Sequence, residues 1–167
     1  SEILLHLALG RITFLSFQEK KKLAKNLDSS LSLALLSIED ISKILDRKFN
    51  ANVIWNGLEN NHMAEVALYY CERMHIQIIL HSDYRYPELL RQIADPPYLL
   101  FCRGNAEALT KRSVSVVGTR QLSPIGKQAA LEFAYEACLD GCTIVSGLAN
   151  GADGYAHQGA LNSYFDS

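Results

Sequence analysis

The residues best suited to chemistry are grouped in two glycine-containing segments of the second half of the chain. The first segment, VVGTRQLSPIGK, places Gly118, Thr119 and Arg120 directly after an apolar run, and the second, SGLANGADGYAH, begins at Ser146. Glycine lets the backbone approach a ligand closely, and an arginine beside it can offer a guanidinium to a phosphate. These residue types predict an anion site in which backbone amides and Arg120 contact a phosphate.

The familiar nucleotide-binding and nucleophile motifs do not fit these segments. Gly118 and Gly126 do not form GxGxxG, and no acidic residue closes the second strand to hold a ribose, which disfavours a nicotinamide cofactor. Gln128 follows Lys127 where a Walker motif needs Ser or Thr. Ser146 does not lie in GxSxG, and no base can be assigned to it. We therefore expect no cofactor.

Asp153 and His157 lie four residues apart and so share one face of a predicted helix. They could form an acid–base pair or supply two metal ligands. Alternatively, Asp153 caps the helix N-terminus and His157 makes a local hydrogen bond, and this structural interpretation is the one we favour. The cysteines form no CxxC pair and the histidines are scattered, so no metal site is predicted.

A strand–helix–strand pattern positions both segments. Short apolar runs from Ile76 onward (IQIIL, YLLFC, SVSVV, CTIV) predict strands, and a helix that stops at Gly141 separates the last two. Such a βαβ unit has parallel strands, and ligands bind at their carboxyl ends, where both segments begin. A further helix is predicted from Ala152 to about Asn162. Because one βαβ unit cannot complete a doubly wound sheet, we expect a fragment or a completing partner.

Residues 1–75 are predicted to form a separate domain of short helices. Ser16 is predicted to cap a helix that carries Phe17, and Ser37 and Asp40 have capping-box spacing before a second helix. A third helix is predicted from Asn61 to His75. Residues 76–167 would form the second domain.

Composition restricts the class of protein. The net charge is −2, which is not the basic balance of a strong nucleic-acid binder, so any anion site must be local. No apolar run is long enough for a membrane span, no secretory pattern opens the chain, and a cytoplasmic protein with reduced cysteines is expected. One basic run in the helical part could contact phosphates, although a solvated helix face is the favoured interpretation. It comprises Lys20, Lys21, Lys22 and Lys25.

Three stretches in the same order resemble the DprA/Smf family of bacterial DNA-processing proteins. They are HSDYRYPELLRQIADPPYLLFCRGN, VSVVGTRQLSPIGKQAA and IVSGLANGADGYAHQGAL, and the resemblance covers residues 76–161 well and the helical part loosely. It implies an α/β fold with a Rossmann-like parallel sheet, truncated at its C-terminal half. A small all-helical, sterile-alpha-motif-like domain would precede that sheet.

The resemblance also implies a function in natural transformation. Family members bind incoming single-stranded DNA and help load the RecA recombinase onto it, without catalysis, and they form homodimers through the half that is absent here. The implied DNA-contacting residues are Gly118, Thr119, Arg120, Lys127, Ser146, Gly147, Leu148, Ala149, Asn150, Gly151, Asp153 and His157. The family usually has arginine where this chain has Asn150; phosphate binding is then weaker, or Lys127 compensates.

Two other functions remain open on the residues alone. A nucleotide-processing hydrolase on a similar Rossmann-like fold could use Asp153 or His157 on a nucleoside phosphate, because such a phosphate needs the same donors as a DNA phosphate. A protein-interaction module built mainly from the N-terminal helices is the third possibility.

Overall fold

The computed structural model describes residues 2–166, which divide into two compact units, one ending at Ala106 and one beginning at Glu107. We call them the helical unit and the βαβ unit. The helical unit contains α1 (Glu2–Gly10), α2 (Phe17–Asn26), α3 (Ser30–Ala34), α4 (Ile38–Leu45), α5 (Gly57–Arg73), β1 (Ile76–Leu80), α6 (Glu88–Arg91) and β2 (Leu99–Arg103). After a 3₁₀ turn at Ala106–Thr110, the βαβ unit contains β3 (Ser113–Ser115), α7 (Pro124–Leu139), β4 (Thr143–Val145) and α8 (Ala152–Asp166).

Side-chain caps start the helices where the sequence predicts them. The Ser16 Oγ accepts a hydrogen bond from the Glu19 N–H at 3.4 Å, and the Glu19 carboxylate accepts one from the Ser16 N–H at 2.8 Å, which completes a capping box. Ser37 and Asp40 form the same box at α4. The α5 helix begins four residues before the predicted Asn61, because Asn56 caps it.

The helical unit has a continuous apolar core that includes the first two strands. Leu9, Leu23 and Ile41 are fully buried, and Ile78 of β1 and Leu99 of β2 pack against the same cluster. The division between compact units therefore falls after Ala106, about thirty residues beyond the boundary at 75 that we predicted. The strand pattern marks where the secondary structure changes. It does not indicate that β1 and β2 pack into the core of the helical unit.

The strands form two separate two-stranded sheets in the described part of the chain. The β1 and β2 strands pair antiparallel, with Ile76 opposite Arg103 and Leu80 opposite Leu99. The β3 and β4 strands pair in parallel, with Val114 opposite Ile144, and α7 connects them. The predicted βαβ unit is thus confirmed, whereas the parallel arrangement does not extend to β1 and β2.

The βαβ unit has a small core in which α7 and α8 pack closely. Its fully or nearly buried apolar residues are Ala134, Ile144 and Ala156. A Cβ on Gly159 of α8 would lie 2.1 Å from the Leu131 carbonyl oxygen of α7, so this helix contact requires glycine. No helix between residues 2 and 166 combines the length and apolar character needed to cross a membrane.

Candidate functional site

Two neighbouring loops leave the carboxyl ends of the parallel strands. The first loop (residues 116–123) follows β3 and the second loop (residues 146–151) follows β4. The Val116 N–H donates to the Val145 carbonyl at 3.0 Å and extends the strand pairing, and the Ser146 hydroxyl donates to the Val116 carbonyl at 2.6 Å. The sheet therefore sets the two loops side by side at one edge, as the βαβ pattern predicted.

Glycine is required where the loops contact each other. Gly151 has a φ of +89°, and a Cβ there would lie 2.3 Å from the Thr119 carbonyl oxygen and 2.7 Å from the Arg120 carbonyl carbon. The Ala152 N–H donates to the same Thr119 carbonyl at 3.1 Å. A Cβ on Gly118 would meet the Ala152 side chain at 2.7 Å. Both glycines let the first loop lie directly against the start of α8.

The two loops expose a set of backbone donors. Within residues 2–166, no acceptor contacts the N–H groups of Gly118, Thr119, Arg120, Leu148, Ala149 and Asn150. Most of these residues are exposed, and Leu148 has a φ of +56° with 77% of its surface accessible. A leucine in the left-handed region is uncommon and marks a backbone held in place by its neighbours. The loops can therefore donate several N–H groups to an anion.

Asp153 holds the second loop rather than the helix end. The residue is 9% exposed, and its carboxylate accepts a hydrogen bond from the Gly147 N–H at 3.1 Å. We expected Asp153 to cap α8, but it lies inside the helix, which begins at Ala152, so its side chain reaches back to the loop. No hydrogen bond or ion pair joins Asp153 to His157 in the part of the chain that the structure describes. The His157 Nε2 is buried without a hydrogen-bond partner among those residues.

Two cations lie beside the loops, and neither has an acidic partner among the described residues. Arg120 and Lys127 are exposed, and neither forms a salt bridge with any residue from 2 to 166. Lys127 lies in the first turn of α7, which Ser123 caps by accepting from the Gly126 N–H at 3.1 Å. Its ammonium is 5.6 Å from the ring centre of Tyr155, in the first turn of α8. Helix N-termini add partial positive charge to this edge.

Tyr155 is the site residue that the sequence did not reveal. It comes near Lys127 only because α7 and α8 pack together at Gly159, a contact with no local sequence signal. An ammonium within about 6 Å of an aromatic ring is in favourable cation–π range. The edge thus combines backbone donors, two cations and one aromatic ring.

Known proteins are similar to the chain over part or nearly all of its length. A family model described as DNA recombination-mediator protein A matches residues 77–166. The DNA processing protein DprA of Bacillus subtilis is 41% identical over 83 residues, which are 49% of this chain and 28% of that protein. Protein Smf of Borreliella burgdorferi is 29% identical over 156 residues, which are 93% of this chain and 48% of the relative.

A solved structure is similar over nearly the whole chain. The X-ray structure of DNA processing protein A from Streptococcus pneumoniae superposes with a TM-score of 0.62 and 28% sequence identity, covering 95% of this chain and 53% of the other. The chain therefore spans about half the length, or less, of the relatives it matches.

Proposed function

The chain belongs to the DNA recombination-mediator protein A family, and we propose that its two loops bind the phosphate backbone of single-stranded DNA. The relatives in Bacillus subtilis and Streptococcus pneumoniae are named for DNA processing. In line with the DprA/Smf resemblance, the function we propose is single-strand binding and RecA loading in natural transformation, without catalysis.

The observation that supports DNA binding most strongly is the set of free donors around the two loops. Six N–H groups there lack an acceptor among the described residues, and Arg120 and Lys127 lack a carboxylate partner. A phosphate has several acceptor oxygens for these N–H groups and a negative charge for the two cations. Contacts of this kind ignore base identity, and the binding should weaken steeply as salt increases.

Tyr155 favours a nucleic acid over an isolated phosphate. Single-strand binders combine cationic grooves with aromatic rings on which bases stack. Tyr155 lies 5.6 Å from the Lys127 ammonium, next to the loops, and can offer a ring face to a base once the adjacent phosphate is bound.

The engagement of the polar side chains supports binding without catalysis. The Ser146 hydroxyl donates to the Val116 carbonyl, and the Asp153 carboxylate accepts from the Gly147 N–H. Each group therefore maintains loop geometry in the free protein. A hydrolase that acts through Asp153 would instead need this carboxylate directed at a substrate atom.

The finer fold and partner assignments belong to the same proposal. We propose that β3, α7, β4 and α8 are the first elements of a Rossmann-like parallel sheet and that the preceding helices form the sterile-alpha-motif-like domain. The parallel β3–β4 pair with its crossover helix is what supports the first assignment. Homodimerisation, RecA as a partner and a cytoplasmic location follow from the family resemblance.

Replacing Arg120 tests the proposal. Fluorescence anisotropy with a labelled single-stranded oligonucleotide should show Arg120→Ala binding about 10- to 150-fold more weakly than the parent, since a charge-assisted hydrogen bond contributes about 1.5–3 kcal/mol. Arg112→Ala is the matched control, because exposed Arg112 precedes β3 at the opposite end of the strand and carries the same charge.

Two results would contradict the proposal. Equal affinities of Arg120→Ala and Arg112→Ala would remove Arg120 from the site. Turnover of nucleoside monophosphates by the parent chain, lost in Asp153→Ala, would favour the hydrolase over a binding protein.

A further inference from the structure

A pocket separate from the two loops lies entirely within the helical unit. It has a volume of about 250 Å³ and receives side chains from α1, α2 and the segments that flank β1 and β2. Its polar lining residues are His6, Lys21, Lys25, His81, Ser82 and Tyr98. The proposed DNA site uses none of them.

Two lysines of the basic run identified in the sequence face this pocket. Lys21 and Lys25 are four residues apart on α2, so their ammonium groups share one helix face and repel each other. No carboxylate within residues 2–166 lies in salt-bridge distance of either one. Glu2, which is near the rim, pairs with the His6 Nε2 at 3.9 Å and has 86% of its side chain exposed. An anion in the pocket would relieve the repulsion.

A hydrogen bond and ring contacts hold the other polar groups of the pocket in place. The Tyr98 hydroxyl and the His6 Nδ1 are 2.8 Å apart in a hydrogen bond. The Phe17 ring centre lies 4.5 Å from that of His81, and the Lys21 ammonium lies 5.6 Å from the Phe17 ring centre. These contacts position two imidazoles and an ammonium around one space.

Arg91 fixes the loop that carries His81 and Ser82. Its guanidinium donates to the His81 carbonyl, to the Asp83 carbonyl at 3.1 Å and to the Tyr86 carbonyl at 3.2 Å. Three carbonyls bound by one side chain leave the loop little freedom. The pocket is therefore formed before any ligand enters, which reduces the ordering cost of binding.

We propose that this pocket binds a phosphate monoester of nucleotide size, with Lys21 and Lys25 neutralising its charge. The Ser82 hydroxyl and the imidazole N–H groups supply further donors, and the rings of His81 and Tyr98 flank the uncharged part of the ligand. A volume of about 250 Å³ is just below the usual range for ligand sites, about 300–1,000 Å³, so the pocket favours one nucleotide over a dinucleotide. The ligand is either a free nucleotide or the 5′-phosphate end of a DNA strand.

Titration calorimetry with AMP, and with inorganic phosphate for the charge alone, tests the pocket. The Lys21→Gln/Lys25→Gln double variant should bind AMP about tenfold more weakly than the parent. Lys22→Gln/Lys48→Gln removes the same charge from exposed positions that do not line the pocket, and it should bind within about twofold of the parent. Glu2→Gln should bind AMP more tightly, because it removes the negative charge near the rim.

Other variants separate this pocket from the loops. Arg120→Ala should keep full AMP binding, and loss of AMP binding in that variant would overturn the proposal by placing the nucleotide at the loops. Absence of saturable binding at millimolar AMP, or equal binding by both lysine double variants, would also overturn it. Each of these results leaves the test of oligonucleotide binding by the loops unaffected.

Oligonucleotides with and without a 5′-phosphate identify the source of the phosphate. A preference for the phosphorylated strand that disappears in Lys21→Gln/Lys25→Gln assigns the pocket to strand ends. Equal binding of both strands, together with lysine-dependent AMP binding, assigns it to free nucleotides.

Discussion

The two units of the molecule bury different kinds of residue. The helical unit encloses large aliphatic side chains such as Leu9, Leu23 and Ile41, whereas the βαβ unit buries mainly alanine and one isoleucine. In the βαβ unit, larger apolar residues such as Val117 and Ile125 are exposed. The helical unit is stabilised mainly by buried apolar surface. In the βαβ unit, glycines let backbone segments approach each other closely, and the same loops keep amide groups available to a ligand.

The largest effect should come from emptying the core of the helical unit. Leu23→Ala removes a side chain with 0% exposure and should lower the free energy of unfolding by about 2–5 kcal/mol, through lost burial and the cavity left behind. Leu58→Ala makes the same change at a helix position that is 63% exposed and should cost less than about 0.5 kcal/mol. Urea unfolding followed by circular dichroism measures both. Similar losses in the two variants would mean that Leu23 does not belong to a tightly packed core.

A smaller effect should come from adding one methyl group between α7 and α8. Gly159→Ala places a Cβ 2.1 Å from a backbone oxygen that cannot move alone, so the helices must separate at a cost of about 1–3 kcal/mol. Gly126→Ala is the matched control, because its new Cβ would meet first the flexible Leu122 side chain at 3.1 Å. Hydrogen exchange in α7 and α8 should increase only in Gly159→Ala. Protection equal to that of the control would show that close approach at Gly159 is not what holds the two helices.

Features coded by short stretches of sequence could be predicted. Ser16 and Ser37 cap their helices as expected, since a capping box needs only four consecutive residues. The parallel pairing of β3 and β4 was also predictable, because chain connectivity constrains a βαβ unit. The free loop amides agree with the predicted anion site, whose role in DNA binding stays a prediction.

Features that depend on distant contacts could not be predicted. The inclusion of β1 and β2 in the helical unit depends on packing between residues far apart in sequence, as the pairing of His6 with Tyr98, 92 positions away, illustrates. The need for glycine at position 151 arises from the backbone of Thr119 in the other loop. Asn150, where the chain departs from the family pattern, is exposed beside Gly151.

The smallest expected effect is a pH dependence that originates in the helical unit. Burial lowers the pKa of His6 below its ordinary 6.5, against a weaker opposing effect of the Glu2 carboxylate. Burial is also the main cause of the lowered pKa of His81; the charges of Arg91 and Lys21 lower it further, and Glu88 opposes them. Both imidazoles are therefore harder to protonate in the folded protein than in the unfolded chain.

The sign of the pH effect follows from proton uptake on unfolding. Below about pH 6.5 the unfolded chain binds more protons than the folded one, so stability is fully present above that pH and decreases as the pH falls through the lowered pKa values. The urea concentration at the unfolding midpoint should decrease as the pH is lowered from about 7.5 to about 5.5. This range lies above the titration of carboxyls such as Asp83, because the hydrogen bonds from Arg85 lower the pKa of Asp83. His6→Gln/His81→Gln should flatten the dependence of the urea midpoint on pH, and the exposed His62→Gln should keep it.

Millimolar AMP should also flatten the pH dependence if the nucleotide occupies the pocket, because a bound anion favours protonated imidazoles in the folded state. A slope that persists in His6→Gln/His81→Gln would place its origin outside these two histidines.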